Sequence, residues 1–333
     1  PDAAPLFPIL WGLWLFYKVR SDLGRAHLLG GELLALAEQS GDPALVLQGR
    51  QAGSVVALCA GDPEGARRHM AAAAALYDPG RHRVLTVQFG QDPGVACLAF
   101  GAAALWLLGE PDEAAARSRE AVRLAREGSQ PSTLALALHF AAMLHQFRQD
   151  PAAVREFAAE TLAVSVEHRF AFWQAGATVL LGWAAAADGA ADGVALLEQG
   201  LDAWQATGSI TYRTYYQALL AEALGRAGRA GEALGVLDEA ERLVGRTGER
   251  LYEAEVHRLR GELHVALATP DAAEVCFERA AAVARSQRAS ALAQRAANSL
   301  GRLRTAQGRP VAAAADQVRG TAQARDEWFA GAG

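Results

Sequence analysis

Lysine is almost missing from this chain: among 32 basic residues in 333, Lys18 is the single lysine. Phosphate-loop, Schiff-base and lysine-base chemistries are therefore left with one poorly placed candidate. Alternating runs of Val, Ile, Thr and aromatic residues are almost absent, which excludes an extensive sheet. The three cysteines, Cys59, Cys97 and Cys276, lie far apart in apolar stretches without a C-x-x-C or a partnered spacing for zinc. They read as small core residues of a reducing compartment. Positive charge is not in excess either. A formal charge of -5 supplies no general attraction toward phosphate backbones or anionic lipid, so neither nucleic acid nor a membrane surface is expected as a partner. Long apolar runs are lacking as well. The two longest, 6–19 and 95–109, fall short of the roughly 20 residues that span a bilayer, and the first is broken by Pro8 and closed by Lys18 and Arg20. No basic region precedes that run, as a signal peptide requires. A start at Pro1 without Met marks the chain, in expectation, as a piece excised from a larger cytoplasmic protein.

What is present is alanine, an apolar content of 51%, and prolines placed at segment ends. These predict a nearly all-helical fold with a substantial core. Short turns recur at Gly61-Asp62-Pro63, Gly109-Glu110-Pro111, Gln149-Asp150-Pro151, Gly189-Ala190-Ala191, Gly228-Arg229-Ala230, Thr269-Pro270-Asp271 and Gly308-Arg309-Pro310. In such a turn glycine ends one helix in a left-handed conformation, Asp or a similar residue caps the next, and Pro takes the first position, where no donor is needed. The small residues near the turns, Ala26, Ala66, Ala114, Val154, Val194, Ala233, Ala273 and Ala313, are spaced by 40, 48, 40, 40, 39, 40 and 40. Internal repetition of this kind signals stacked helical hairpins.

The clearest unit is 215–241. Leu220, Ala221 and Leu224, then Ala233, Leu237 and Ala240, fall at the small and large positions of a tetratricopeptide repeat, with Gly261, Ala273, Phe277 and Ala280 repeating the pattern. The expected architecture is an all-α, right-handed superhelix of about eight antiparallel hairpins, each longer than the usual 34 residues. Their approximate bounds are 8–40, 43–77, 93–128, 131–168, 170–207, 210–246, 249–286 and 289–325, in one array, with an insertion loop at 78–92. The insertion is the longest irregular stretch, and structured loops in repeat proteins often carry function.

Particular stretches also resemble a known family: Pro8-Ile9-Leu10-Trp11-Gly12-Leu13-Trp14, Gln91-Asp92-Pro93-Gly94-Val95-Ala96-Cys97, Ala104-Leu105-Trp106-Leu107-Leu108-Gly109, Ala142-Met143-Leu144-His145-Gln146-Phe147-Arg148 and the run 252–263. The chain resembles the C-terminal tetratricopeptide-like region of large bacterial signalling proteins. In these, a class III nucleotide cyclase or another effector precedes an AAA/STAND-type ATPase module and then helical repeats. The resemblance spans essentially all 333 residues. It implies a sensor and regulatory region for upstream ATPase or cyclase domains, without catalysis in this segment.

Catalytic motifs do not point elsewhere. There is no G-x-x-x-x-G-K-[ST] and no strand-borne G-x-G-x-x-G, so no nucleotide, cofactor or enzymatic activity is expected of the segment itself. No H-E-x-x-H occurs; His257 and His264 share a helix face near Glu253 and Glu255, but residues seven apart stand about 10 Å apart, and no metal site is expected. A G-x-S-x-G elbow is also absent.

In such arrays the first helix of each hairpin lines the concave face. Extrapolating the register places Trp106, His139, Met143, Gln146, Trp183, Tyr215, Glu222, Arg226, Glu255, Arg258 and Glu262 in that groove. Aromatic and arginine side chains are frequent anchors of peptide and protein grooves, so these residues are the expected contact set for a protein or peptide partner. Two structural readings stand beside this one. The tryptophans fill space between long helices, and Glu255, Arg258 and Glu262 form a solvated charge ladder. The stretch 6–17 holds more large apolar groups than one helix face hides, which points to a preceding domain, a homodimer contact, or cover by the second helix and the insertion.

Overall fold

The structure, a computed structural model, describes residues 3–309. Over these residues it consists of helices joined by short turns: α1 (Ala3–Val19), α2 (Leu23–Ser40), α3 (Pro43–Cys59), α4 (Pro63–Leu76), α5 (Pro79–His82), α6 (Leu85–Phe89), α7 (Pro93–Leu108), α8 (Pro111–Gly128), α9 (Pro131–Phe147), α10 (Pro151–Glu167), α11 (Ala171–Ala187), α12 (Gly193–Ala206), α13 (Arg213–Arg226), α14 (Ala230–Thr247), α15 (Glu253–Ala266), α16 (Pro270–Ser286) and α17 (Ser290–Ala306). No strand occurs among the described residues. Seven hairpins, α1/α2, α3/α4, α7/α8, α9/α10, α11/α12, α13/α14 and α15/α16, stack into a right-handed tetratricopeptide-like superhelix, and α17 opens an eighth. The remainder of that unit, with Ala313, lies outside the described residues.

One packing rule runs through every second helix. Residues x, x+4, x+7 and x+11 face the first helix, as the helical period requires: Ala26, Gly30, Leu33 and Ala37 in α2, for example, and Ala273, Phe277, Ala280 and Ala284 in α16, all buried. Small groups at these positions let the backbones approach closely. Gly261 of α15 lies under the Phe277 ring, where an added Cβ would come within 2.4 Å of it. The fifth hairpin corrects the expected register. Its buried set is Gly193, Leu197, Gly200 and Trp204, while Val194 is only half-buried. A Cβ on Gly193 would meet the Ala186 backbone nitrogen at 2.4 Å, so this anchor is glycine because α11 and α12 touch backbone to backbone.

The turn inside each hairpin places one residue in the left-handed region: Ser21, Gly61, Gly109, Gln149, Gly189, Gly228, Ala268 and Gly308. Carboxylate caps follow at several helix starts, as Asp62 accepts from the Gly65 amide and Asp150 from the Ala153 amide. The stretch 78–92, expected to be irregular, contains α5 and α6. It folds back on α1, with the Phe89 ring edge-on to Phe7 at 5.8 Å and to Trp11 at 5.5 Å. At its end the Tyr77 hydroxyl donates to Asp92, which caps α7. Helix α1 runs through Pro8 instead of breaking there. Proline in the second turn forfeits a single backbone bond, and burial of Phe7, Trp11 and Trp14 holds the helix across it.

The superhelix is wound tightly enough that its turns touch. The Val19 carbonyl, orphaned at the end of α1, accepts from the amides of Ile210 (2.8 Å) and Thr211 (3.2 Å). One repeat later the Cys59 carbonyl at the end of α3 accepts from Arg250 (2.8 Å) and Leu251 (3.2 Å). The first hairpin thus meets the sixth and the second meets the seventh. Gly109, after α7, continues the pattern by facing Ser290 at the start of α17.

Candidate functional site

All eleven residues expected in the groove lie on the first helices of their hairpins, α7, α9, α11, α13 and α15. The expectation of an open groove is corrected for most of them. His139, Met143, Gln146, Trp183, Tyr215 and Glu255 are buried, and Trp106 retains only 8% exposure. Closure of the coil brings non-adjacent hairpins into contact, and aromatic rings of the third, fourth, sixth and seventh pack together in the interior. Phe147 stacks on Tyr252 with centroids 5.6 Å apart and meets Tyr215 edge-on at 5.8 Å, while Trp106 lies 5.1 Å from Phe147. The Tyr215 hydroxyl donates to Gln146 at 3.0 Å. His139 shares a hydrogen bond of 3.1 Å with the Tyr216 hydroxyl, and burial holds its imidazole down to about 3. Gly176 makes room for this pair, since a Cβ there would lie 2.8 Å from both partners.

The remaining four residues stay reachable. Glu222, Arg258 and Glu262 are half-buried and Arg226 is exposed, and these charges on the adjacent helices α13 and α15 make a partly accessible patch, the mouth, beside the aromatic core. Its ladder follows the repeat: Trp183 donates its indole N–H to Glu222 at 2.9 Å, and Arg226 pairs with the same carboxylate at 2.7 Å. Glu262 accepts from Arg258 (2.8 Å), Ser299 (2.6 Å) and Arg302 (2.7 Å). Behind it Glu255 is clamped by Arg258 at 2.8 Å and Arg295 at 3.2 Å. Burial opposes the Glu255 charge, yet the two guanidinium groups win and hold its carboxyl below the usual range. Arg295 also lies 4.8 Å over the Trp106 ring and donates to the Phe147 carbonyl. Interior pairs fix the positions of the outer charges.

Arg295, Ser299 and Arg302 escaped the sequence reading, although one further step of the period finds two of them: Arg295 follows Glu255, and Arg302 follows Glu262, by 40 residues. A second polar cluster carried no such signal. Buried Glu249 accepts from the Ser21 hydroxyl (2.7 Å), the Tyr212 amide (2.8 Å) and the Thr214 hydroxyl, joining three hairpins. Lys18, whose ammonium stands 5.3 Å from the Tyr212 ring, lies beside it; burial lowers Lys18 and raises Glu249. Among the described residues no three His, Cys, Asp or Glu side chains are grouped to hold a metal ion. His257 faces Glu241 at 3.4 Å, and His264 bonds Thr269 instead. No helix among the described residues is long and apolar enough to cross a membrane.

No family model matches the chain. It is similar to an uncharacterized protein of Rhizobium meliloti (strain 1021), with 28% identity over 297 residues that cover 88% of this chain and 29% of the relative. The chain therefore spans less than a third of the relative's length. Among solved structures it is similar to the Cut9-Hcn1 hetero-tetramer of the APC/C, with a TM-score of 0.51 and 16% identity over 85% of this chain and 48% of that one. That likeness shows the repeat fold.

Proposed function

We propose that the chain is a non-catalytic binding and regulatory scaffold that recognises a protein or peptide, and that it serves as the C-terminal sensor segment of a longer bacterial, cytoplasmic signalling protein of the ATPase or nucleotide-cyclase type. The observation that carries this reading is the charged mouth. Buried Trp183 and Ser299 hold the half-buried Glu222 and Glu262, which in turn pair with exposed Arg226 and Arg302, so binding costs little ordering of the glutamates. Two comparisons support it: the relative has room for further domains, and the fold neighbour works inside a hetero-tetramer. The partner is either a separate protein or an upstream domain of the same polypeptide.

The test is a photo-crosslinking residue placed at Arg226 or Arg302 of the full-length polypeptide, with adducts mapped by mass spectrometry. Adducts to another protein, or to a region outside the repeats, support the reading. Equal yields from Arg242 on the outer surface, or adducts only within the repeats, overturn it.

A second reading, a self-associating scaffold, rests on α1. Leu6, Ile9, Leu13 and Phe16 recur at helical spacing on its open side, with Ile9 62% and Phe16 48% exposed. Sedimentation of Leu13→Glu beside the unaltered chain decides it: a dimer that becomes monomeric supports self-association, and a monomer in both cases removes it.

A further inference from the structure

On the outer surface, second helices of neighbouring hairpins are separated by grooves, and two of these differ in sign. The groove between α12 and α14, of about 430 Å³, is rimmed by Glu198, Asp202, Glu232 and Glu239. Two hairpins earlier, the groove between α8 and α10 encloses about 580 Å³, within the range of ligand pockets. Its floor is apolar, made by Val122, Leu144 and Phe157, and the Phe157 ring stacks on His145 at 5.4 Å. Its rim holds four arginines and one carboxylate, Glu127. Arg119, Arg123 and Arg126 follow one another at i, i+4 and i+7 on α8, and Arg148 faces them from the end of α9.

These arginines divide by partner. Arg123 is held by Glu120 and Glu127, and Arg126 by Glu160. Arg119 and Arg148 are exposed and make no ion pair among the described residues. Two unneutralised guanidinium groups therefore flank an apolar floor, in a chain whose overall charge is negative. We propose that this groove is a second docking site, distinct from the mouth, for an acidic peptide segment. A large apolar side chain of the segment seats on Phe157, Leu144 and Val122, and carboxylates on either side pair with Arg119 and Arg148 in the forked geometry that guanidinium favours. A nucleic acid fits the site less well, because the apolar floor has nothing to pair with a phosphate and the middle arginines are already neutralised.

The experiment uses fluorescence anisotropy on the full chain, with a labelled peptide of about twelve residues holding one Phe and one Leu between blocks of Glu. Saturable binding is expected, weakening with added salt. Arg119→Glu and Arg148→Glu each weaken it about tenfold or more, while Glu232→Gln in the acidic groove leaves it unchanged. Both arginines are exposed, so charge reversal there spares the fold, and Phe157→Gln supplies an independent apolar probe. The proposal is overturned if the peptide does not bind, if a Gln-for-Glu peptide binds equally well, if the arginine variants bind as the unaltered chain does, or if a single-stranded oligonucleotide displaces the peptide. These variants leave the mouth untouched, so failure here is distinguishable from failure there.

Discussion

The Ser21 hydroxyl donates to the Glu249 carboxylate at 2.7 Å, joining residues 228 apart and tying the first hairpin to the seventh. This bond belongs to the contact that converts an open superhelix into a closed coil. A buried acceptor with three donors is far costlier to delete than to neutralise, because deletion strands the donors. Glu249→Ala leaves the Tyr212 amide and two hydroxyls without their acceptor, and a loss of about 3 kcal/mol is expected at roughly 1 kcal/mol per bond. Glu249→Gln keeps an oxygen for Ser21 and Tyr212 and an amide for the Thr214 hydroxyl, so its loss is smaller. Urea unfolding measures both, and small-angle scattering reads the coil: a larger radius of gyration for Glu249→Ala alone is the expected result. Equal stabilities for the two variants contradict this account.

The axial core makes a pH-dependent claim through His139. Its imidazole, ordinarily near 6.5, is held down to about 3 by burial among Phe140, Trp173 and Tyr216. The unfolded chain takes up a proton below about pH 6.5 while the folded chain does not, so stability drains away as pH falls between those values. The limiting slope is about 1.4 kcal/mol per pH unit. His139→Gln removes the titrating group. The stability gap between the unaltered chain and the variant therefore narrows by about 2 kcal/mol from about pH 7 to about pH 5. A constant gap, or an imidazole NMR signal titrating near its ordinary value, contradicts burial of this ring.

Much of this architecture was legible because a repeat of 40 residues places equivalent side chains in line. Trp183, Glu222, Glu262 and Arg302 occupy one position on four successive first helices, and most of them bond to a neighbour in the series. The closure of the coil was not legible. It arises from small rotations accumulated over five hairpins, and no period connects Ser21 to Glu249. Residues rightly assigned to first helices, such as Gln146 and Tyr215, were therefore expected in an open groove and instead lie in a packed interior. Arg226 remains exposed and Glu262 half-buried.

The corrected register of the fifth hairpin gives a direct comparison. Val194 is half-buried, whereas Gly193 sits against the Ala186 backbone. Gly193→Ala forces α11 and α12 apart and is expected to cost about 2–3 kcal/mol, as overpacking does. Val194→Ala removes two methyl groups from a partly exposed site and costs less than about 1 kcal/mol. Thermal unfolding of the two variants ranks them, and the reverse ranking restores Val194 as the anchor.

Among the intra-hairpin turns, Gly61, Gly109, Gly189, Gly228 and Gly308 adopt the left-handed conformation that Ala268 also takes, with φ 55°. An alanine there brings its Cβ close to the following carbonyl, at a cost of about 1–2 kcal/mol that glycine does not incur. Glycine in turn loses more backbone freedom on folding, by about 0.4–1 kcal/mol. The first effect is the larger, and exposed Ala268 has no packing to lose. Ala268→Gly is therefore expected to raise stability by about 0.5–1 kcal/mol, whereas Gly228→Ala lowers it by a similar amount. Opposite shifts in the urea midpoint of the two variants establish that the turn conformation, and not the identity of either residue, sets the stability of this junction.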